Sequence, residues 1–297
     1  AHGRQSGPIC LRRWPVGRTA LIAIDRGKRE ELYRLFDAYK WNYLVDAILE
    51  GTVGRALADD AGDPRAAVLE VPSLRLSIVG GDAAHPSARS YIEQIPKQTA
   101  IFFASEGWEA LVQTVHGGSS IMIPRYAFTS EALDIEYVRQ LGSRVPDGYQ
   151  LVKMDLTLAR RLDEEKSRFA EDHMRLFDSP EEFIERGFGF CLLRGAQIAS
   201  VATTFVICSK GIEIQINTRK EHQRKGLATV AAAALIVHSL EQGLDPNWDA
   251  ANESSVGLAA KLGYTPQGTY PMLFYTGSRV LGTVARAGLK AKELLEG

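Results

Sequence analysis

The segment Gln223-Arg224-Lys225-Gly226-Leu227-Ala228-Thr229 brings small residues, cations and a hydroxyl to the point where a basic connection enters an apolar helix-forming stretch. A helix's first turn has backbone N–H groups without intrahelical partners, and small residues such as Gly226 and Ala228 let an anion approach them closely. Arg219, Lys220, Arg224 and Lys225 add positive charge, and Thr229 offers its hydroxyl in the same turn. Together these residues describe a cradle for a pyrophosphate. It is not the loop GxxxxGK[ST], because Gly226 follows Lys225 and no upstream glycine has the required spacing, and it is not GxGxxG. Nucleotide hydrolysis and hydride transfer therefore lose their usual anchors.

The elements that must position this cradle can be read on either side of it. Phe188–Leu193, Ala199–Cys208 and Ile212–Asn217, with turns at Arg194-Gly195 and Lys210-Gly211, form a meander of antiparallel strands. In the third, Ile212, Ile214 and Ile216 share the buried face, which leaves Glu213, Gln215 and Asn217 on the opposite surface. The cradle then opens a helix from about Gly226 to Gln242 that is apolar almost all round and stops at Gly243. A short strand over Asn247–Ala251, a helix over Glu253–Leu262 with Asn252 or a following Ser as cap, and a last strand over Thr269–Tyr275 complete this unit. A terminal helix is expected over Val284–Leu295.

The first half reads as mixed α and β. A helix is expected from Arg26 to Lys40 and a short one over Leu44–Leu49, then strands over Ala66–Val71 and Leu74–Val79. The helices Ala88–Ile95 and Glu106–Val115 flank a strand at Ala100–Ala104, and Ser120–Phe128 is a further strand. Thr129–Gly148 reads as a connector with one helix. No tandem repeat of short period is present, and a distant duplication between the halves stays open.

Lys plus Arg (35) nearly balance Asp plus Glu (36), so no overall field draws the chain to nucleic acid or an anionic membrane. The longest apolar run, Leu227–Val237, falls short of a bilayer span. Three cysteines, Cys10, Cys191 and Cys208, lie far apart without ligand spacing, which disfavours a disulfide framework and fits a reducing cytoplasm. No His, Asp and Glu spacing reads as a metal site. His222 is expected at the surface and Cys208 in the core or at a strand end. Trp41-Asn42-Tyr43 and Arg125-Tyr126 are read chiefly as core or surface residues, with an acceptor-pocket border as the alternative.

With Gln223, Gly226 and Ala228 filling the pattern Gln or Arg, any, any, Gly, any, Gly or Ala, the chain resembles the GNAT superfamily of acyl-CoA N-acyltransferases. Asn252-Glu253-Ser254-Ser255-Val256-Gly257-Leu258-Ala259-Ala260-Lys261-Leu262-Gly263-Tyr264 is similar to the pattern that follows that family's fifth strand. The resemblance covers roughly Leu151 to Tyr275. Pro246-Asn247-Trp248-Asp249-Ala250 also looks like the branch that includes antibiotic self-resistance acetyltransferases. An α+β fold is implied: a GNAT-like mixed, mainly antiparallel sheet flanked by helices over residues 146–277. A smaller α/β domain would precede it over 21–145, with a flexible or expression-derived lead at 1–20 and a helical tail at 278–297.

The resemblance further implies acetyl-CoA, or another acyl-CoA, bound by the backbone around Arg224, Lys225, Gly226, Leu227 and Ala228, with Gln223 and Thr229 assisting. The edge of the strand carrying Ile216 and Thr218 would pair with the pantetheine arm, and Asn252 would orient that arm or cap its helix. Glu213 stands where some members have a general base. A glutamate near 4.3 is a poor base for an ammonium near 10 unless burial or neighbours narrow the gap. Many members have a proton-donating Tyr where this chain has Ala259, and Tyr264 matches the packing aromatic. Transfer of an acetyl or short acyl group to a small-molecule primary amine is expected, without metal, nucleic acid or membrane, the first half shaping the acceptor side or mediating homodimer contacts. A CoA-responsive module without catalysis and a peptide or protein N-acetyltransferase are the alternatives.

Overall fold

The computed structural model describes residues 20–165 and 167–296, and in it the larger of two sheets combines strands from both halves of the chain, while the smaller is built from the second half alone. The lead expected over residues 1–20, with Cys10, lies outside the described residues except for Ala20. From the start run β1 (Ile22–Ala23), α1 (Tyr43–Leu49), β2 (Arg55–Ala58), β3 (Ala66–Val71) and β4 (Leu76–Gly81). Strands β1 to β4 form an antiparallel meander. Helix α2 (Pro86–Gln94) then crosses to β5 (Thr99–Phe103), parallel to β4, and α3 (Glu106–His116) leads to the long β6 (Ser120–Thr129).

After α4 (Ile135–Gly142) the same succession recurs. Strand β7 (Gln150–Lys153) precedes α5 (Leu156–Glu164) and α6 (Pro180–Arg186), and then β8 (Gly189–Arg194), β9 (Gln197–Ile207) and β10 (Gly211–Thr218) form a second antiparallel meander. Helix α7 (Leu227–Glu241) crosses to β11 (Asp245–Asn247), parallel to β10, followed by β12 (Asp249–Ala250), α8 (Glu253–Leu262), β13 (Thr265–Tyr275) and α9 (Arg279–Glu296). The small sheet runs β11-β10-β9-β8-β7 and the large one β1-β2-β3-β4-β5-β13-β6-β12. Across β5-β13-β6-β12 strands of the two halves alternate. Three strands, a helix, a parallel strand, a helix and a long strand thus occur twice, a duplication too distant for a short-period search.

Local chemistry explains where the key elements begin and end. Gly226, at φ +80°, turns the chain into α7, and Gly263, at φ +99°, ends α8 in the left-handed region that glycine tolerates without penalty. The alanines of α7 let it lie close on β8, β9 and β10, where Leu227, Val230, Ala231 and Leu235 join Leu192, Ala199, Ala202 and Ile212 in one core. Each of the large side chains contributes roughly 1.5–3 kcal/mol on burial. On the other side of the small sheet, Val45, Ile48 and Leu49 of α1 pack with Val206 of β9, Cys208 just beyond it and Leu69 of β3. One core therefore spans both halves.

Several expectations are corrected. Arg26 to Tyr39 is a succession of tight 3-10 turns, Arg26–Leu35 and Asp37–Tyr39, that still bury Leu32 and Phe36. Strand β2 and helix α5 add to the expected elements: turn residues, Gly54 before it and Asp60 to Pro64 after it, bound β2, and Asp155 caps α5, which buries Leu158, Ala159 and Leu162 at helical spacing. The strand expected over Asn247–Ala251 is two strands in two sheets, hinged at Trp248. The last strand starts earlier, at Thr265, and lies between β5 and β6.

Candidate active site

The parallel pair β10 and β11 is short: Gly211, Ile212 and Glu213 face Asp245, Pro246 and Asn247. After Asn247 the chain leaves for the other sheet, where Asp249 and Ala250 pair with Ala127 and Tyr126. Trp248 anchors the departure, its Nε1 donating to Ser255 Oγ at 3.2 Å and its ring 5.3 Å from Tyr264. Tyr264 Oη donates to the Pro246 carbonyl at 2.6 Å, so its proton is already committed inside the core. Arg125 holds Asp249 at 2.7 Å, and Tyr270 Oη donates to the same carboxylate at 2.7 Å. From Ile214 to Thr218, β10 pairs with β9 on one side, and among the described residues no strand pairs with its other edge.

Glu213 sits where the two strands part. The strand alternation assigns it to an exposed face, whereas the structure buries it to 7% exposure. The reason is distant in sequence. Glu213 lies in register with Val206, and the face they share is covered by α1, whose Val45 and Ile48 belong to the same core as Val206. A bulge between Glu213 and Ile214, with Phe205 as the extra residue on β9, also interrupts the alternation there. Glu213 Oε1 accepts from the Tyr43 backbone N–H at 3.0 Å and from Asn247 Nδ2 at 2.6 Å. The Tyr43 amide belongs to the first turn of α1 and has no partner within that helix. Burial, then the nearby Asp249 charge, push the Glu213 carboxyl up to about 8, against the lowering effect of Asn247, Tyr43 and Arg125. Burial has thus narrowed the gap between this carboxylate and an alkylammonium.

At the other end of β10 the cradle is open. Gln223, Arg224, Lys225 and Gly226 are exposed, and no atom lies within 4 Å of where a Gly226 Cβ would stand. Arg224, at φ +59°, and Gly226 both adopt left-handed backbone, the kind of geometry that turns successive N–H groups toward an anion. No side chain caps the N-terminus of α7. Gln223 Nε2 donates to the Thr218 carbonyl at 3.2 Å, tying the cradle to the strand end, and Lys225 Nζ reaches Tyr149 Oη at 3.3 Å. Leu227 is in the core, Ala228 half-buried, Ile216 and Thr218 half-buried on β10, and the Thr218 hydroxyl shares a 2.7 Å hydrogen bond with Ser200. Thr229, in the first turn of α7, is 7% exposed. The unpaired strand edge and uncapped, unobstructed helix entrance have the length and chemistry to take the amide arm and pyrophosphate of a CoA thioester.

Asn252 caps α8, its Oδ1 accepting from the Ser255 N–H at 3.0 Å. Asn252→Ala is expected to lower stability by about 1 kcal/mol through loss of this cap. Thermal melts together with acetyl-CoA titration check this, and a large loss of CoA affinity would give Asn252 a second role. His222, expected at the surface, is 3% exposed, wedged between Tyr149 Oη at 2.8 Å and Gln197 Oε1 at 3.0 Å. Cys208 is buried, and burial pushes its thiol up to about 11. Ala259 is fully buried against Leu262 and Trp248, far from offering a proton donor. Among the described residues no group of three His, Cys, Asp or Glu side chains could hold a metal ion, and no helix is long and apolar enough to cross a membrane.

A cleft of about 590 Å³ opens between the halves, bounded by Trp41, Tyr43, Ser130, Asp245, Asn247 and Tyr270, and two of these residues, Tyr43 and Asn247, hold Glu213. Trp41 and Tyr43 thus border a pocket, and Arg125 reaches it only indirectly, through Asp249, which accepts from the lining Tyr270. Asn247 enters the sequence reading only within the Pro246–Ala250 resemblance and the expected strand, and Asp245 not at all, although their alternation with Pro246 at a strand start is the signal of a polar strand face.

A mixed sheet whose central parallel strands part, with a freed strand edge running from that point to an open helix entrance, is the architecture of an acyl-CoA-binding transferase. The GNAT acetyltransferase family model matches residues 34–273, and the chain belongs to that family. The match takes in most of the first half, well beyond the segment legible as GNAT-like. The chain is 26% identical over 269 residues, 87% of its length and 100% of the relative's, to the uncharacterized N-acetyltransferase YdfB of Bacillus subtilis. A GCN5-related N-acetyltransferase-like protein from Streptococcus suis superposes with a TM-score of 0.73 at 26% identity, covering 84% of this chain and 98% of that one. A tandem GNAT protein from the clavulanic acid biosynthesis pathway shares the fold alone, at 13% identity and a TM-score of 0.55 over 86% of this chain and 98% of that one.

Proposed function

We propose that the protein is an N-acyltransferase that moves an acetyl or short acyl group from acyl-CoA to the primary amine of a small molecule, by direct attack in a ternary complex. The observation that carries this reading is the position of a buried carboxylate, Glu213, at the point where β10 loses its parallel partner and presents a free edge. The thioester supplies an activated acyl group. Backbone N–H groups from Arg224 to Ala228 receive the pyrophosphate, and the Ile214–Thr218 edge aligns the arm. Glu213, directly or through water, takes a proton from the incoming ammonium so that its nitrogen has a lone pair for attack. The sulfur leaves as a thiolate, which a thiol pKa near 8.5 makes tolerable without a donor in the place of Ala259.

One catalytic site per chain follows from comparing the halves. In the first, β4 and β5 stay paired from Leu76↔Ala100 to Val79↔Phe103, and α2 begins at Pro86, so no free edge faces an open helix entrance. That half supplies the Trp41–Tyr43 wall instead. Calorimetric titration should therefore give one CoA per chain, and two would contradict the division of labour. A cytoplasmic, metal-independent enzyme is the corresponding working picture.

The deciding experiment is a thiol-release screen with acetyl-CoA and longer acyl-CoAs against small amines, amine-bearing antibiotics and peptides. Release with small amines supports the proposal, and release with peptides alone moves the acceptor to proteins. CoA binding without any release would instead favour a CoA-responsive module, the reading that Ala259 keeps in view.

A further inference from the structure

The cleft beside Glu213 has its own charge and spacing. Asp245 and Asn247 are two residues apart on β11, so their side chains leave the same face of the strand about 7 Å apart. Asn247 donates to Glu213, while Asp245 accepts from Tyr43 Oη at 2.7 Å and from Ser130 Oγ. Tyr43 therefore bridges the two carboxylates, its backbone N–H on Glu213 and its phenol on Asp245. These contacts are hydrogen bonds to neutral groups, and among the described residues Asp245 has no ion pair. Two lysines also line the cleft, and each has a carboxylate of its own: Lys210 sits 2.8 Å from the buried Asp46, and Lys40 lies 3.6 Å from Asp37. Trp41 and Tyr270 meet edge to face, 4.9 Å between centroids, and both line the cleft. A carboxylate without a counter-ion beside two aromatic rings is an environment for a cation.

We infer that the acceptor is a slender diamine: one primary amine is presented to Glu213 and acylated, while the second, still protonated, is held by Asp245 against Trp41 and Tyr270. The inference rests on the N-acyltransferase reading and specifies its substrate class. In the reaction the first ammonium gives one proton to Glu213, directly or through water. Its nitrogen then bonds the acyl carbon as the carbon–sulfur bond breaks, the sulfur departs with the bonding pair as thiolate, and the second proton lost from the nitrogen passes to that thiolate or to solvent. The second ammonium is unchanged throughout. Its separation from the first is set by the strand: four or five methylenes place two nitrogens ~7 Å apart, the two-residue repeat from Asn247 to Asp245. Shorter diamines cannot engage both ends, and a monoamine leaves Asp245 without its cation.

The test is acylation of α,ω-diaminoalkanes of two to eight methylenes, each against the n-alkylamine of equal length, by thiol release with saturating acetyl-CoA. The expected result is a maximum in kcat/KM at four or five methylenes, at least 10-fold above the matched monoamine and expressed mainly in KM. Asp245→Asn should collapse that ratio toward one. Tyr270→Leu should reduce it severalfold, and serves if Asp245→Asn folds poorly by thermal melting. Titration calorimetry of the best diamine into the protein holding CoA should show binding that weakens by the same factor in Asp245→Asn. Equal rates for diamines and monoamines, or no dependence on length, overturn the inference while leaving acyl transfer standing. No thiol release with any amine overturns acyl transfer and this inference with it.

Discussion

Replacing Glu213 by Gln should lower turnover by about 100-fold or more, the range associated with losing a positioned general base, while leaving acetyl-CoA affinity within a few-fold. The substitution is geometrically mild. Both hydrogen bonds to Glu213, from the Tyr43 N–H and Asn247 Nδ2, end on the same oxygen, Oε1, and a Gln can present its carbonyl there. What it cannot do is take a proton. Because burial and the Asp249 charge raise the Glu213 carboxyl to about 8, wild-type kcat should climb with pH and level off above that value, provided the acceptor amine titrates elsewhere. The variant should lack this limb. An equal pH profile in both proteins would remove Glu213 from proton transfer, whatever the loss in rate.

The same shift makes a stability prediction of definite sign. The folded state holds the Glu213 proton to about 8, whereas the unfolded chain releases it near 4.5. Between those values the folded state binds more protons, so stability falls as pH rises and the loss is complete above the folded value. Wild type should therefore lose more stability than Glu213→Gln between pH 5 and pH 9, by on the order of a few kcal/mol. Denaturant melts at the two pH values measure it. A carboxylate kept in place at such expense is a common mark of a group retained for chemistry.

Gly226→Val should weaken acetyl-CoA binding by about 100-fold, equivalent to one or two charge-assisted hydrogen bonds to phosphate. Two effects combine. The backbone at φ +80° costs a branched residue roughly 1–2 kcal/mol, and the added methyl groups occupy the space in which no atom now lies within 4 Å. Gly226→Ala separates them, because alanine carries most of the backbone strain and little of the bulk. A graded loss from Gly to Ala to Val in titration calorimetry, with kcat at saturating cofactor less affected, is the expected pattern. Unchanged affinity in the valine variant would mean that the phosphates bind elsewhere, and the reading of the helix entrance would fail.

Of the acceptor side very little was legible, and the reason is the range of the contacts. Tyr43 and Glu213 are 170 residues apart in sequence, Tyr43 and Asp245 are 202 apart, and the Trp41 carbonyl receives Asn247 Nδ2 across 206. No local period or spacing encodes such meetings. The exchange of long strands between halves was equally hidden, since Ser120–Thr129 and Thr265–Tyr275 each read as an ordinary strand wherever it pairs.

By itself the sequence determined what depends on neighbours along the chain. The Gly226 helix entrance, the apolar helix behind it, the β8–β10 meander and the stop at Gly263 are specified by residue types within a turn or two, and so was the family. Only the tertiary structure decided that Glu213 is buried, that the strand holding Asn247 parts from β10 beside it, and that the first half closes the cleft. A strand's alternation states which residues share a face but not what covers that face; here α1 covers it, and the burial that makes Glu213 a usable base comes from that distant helix.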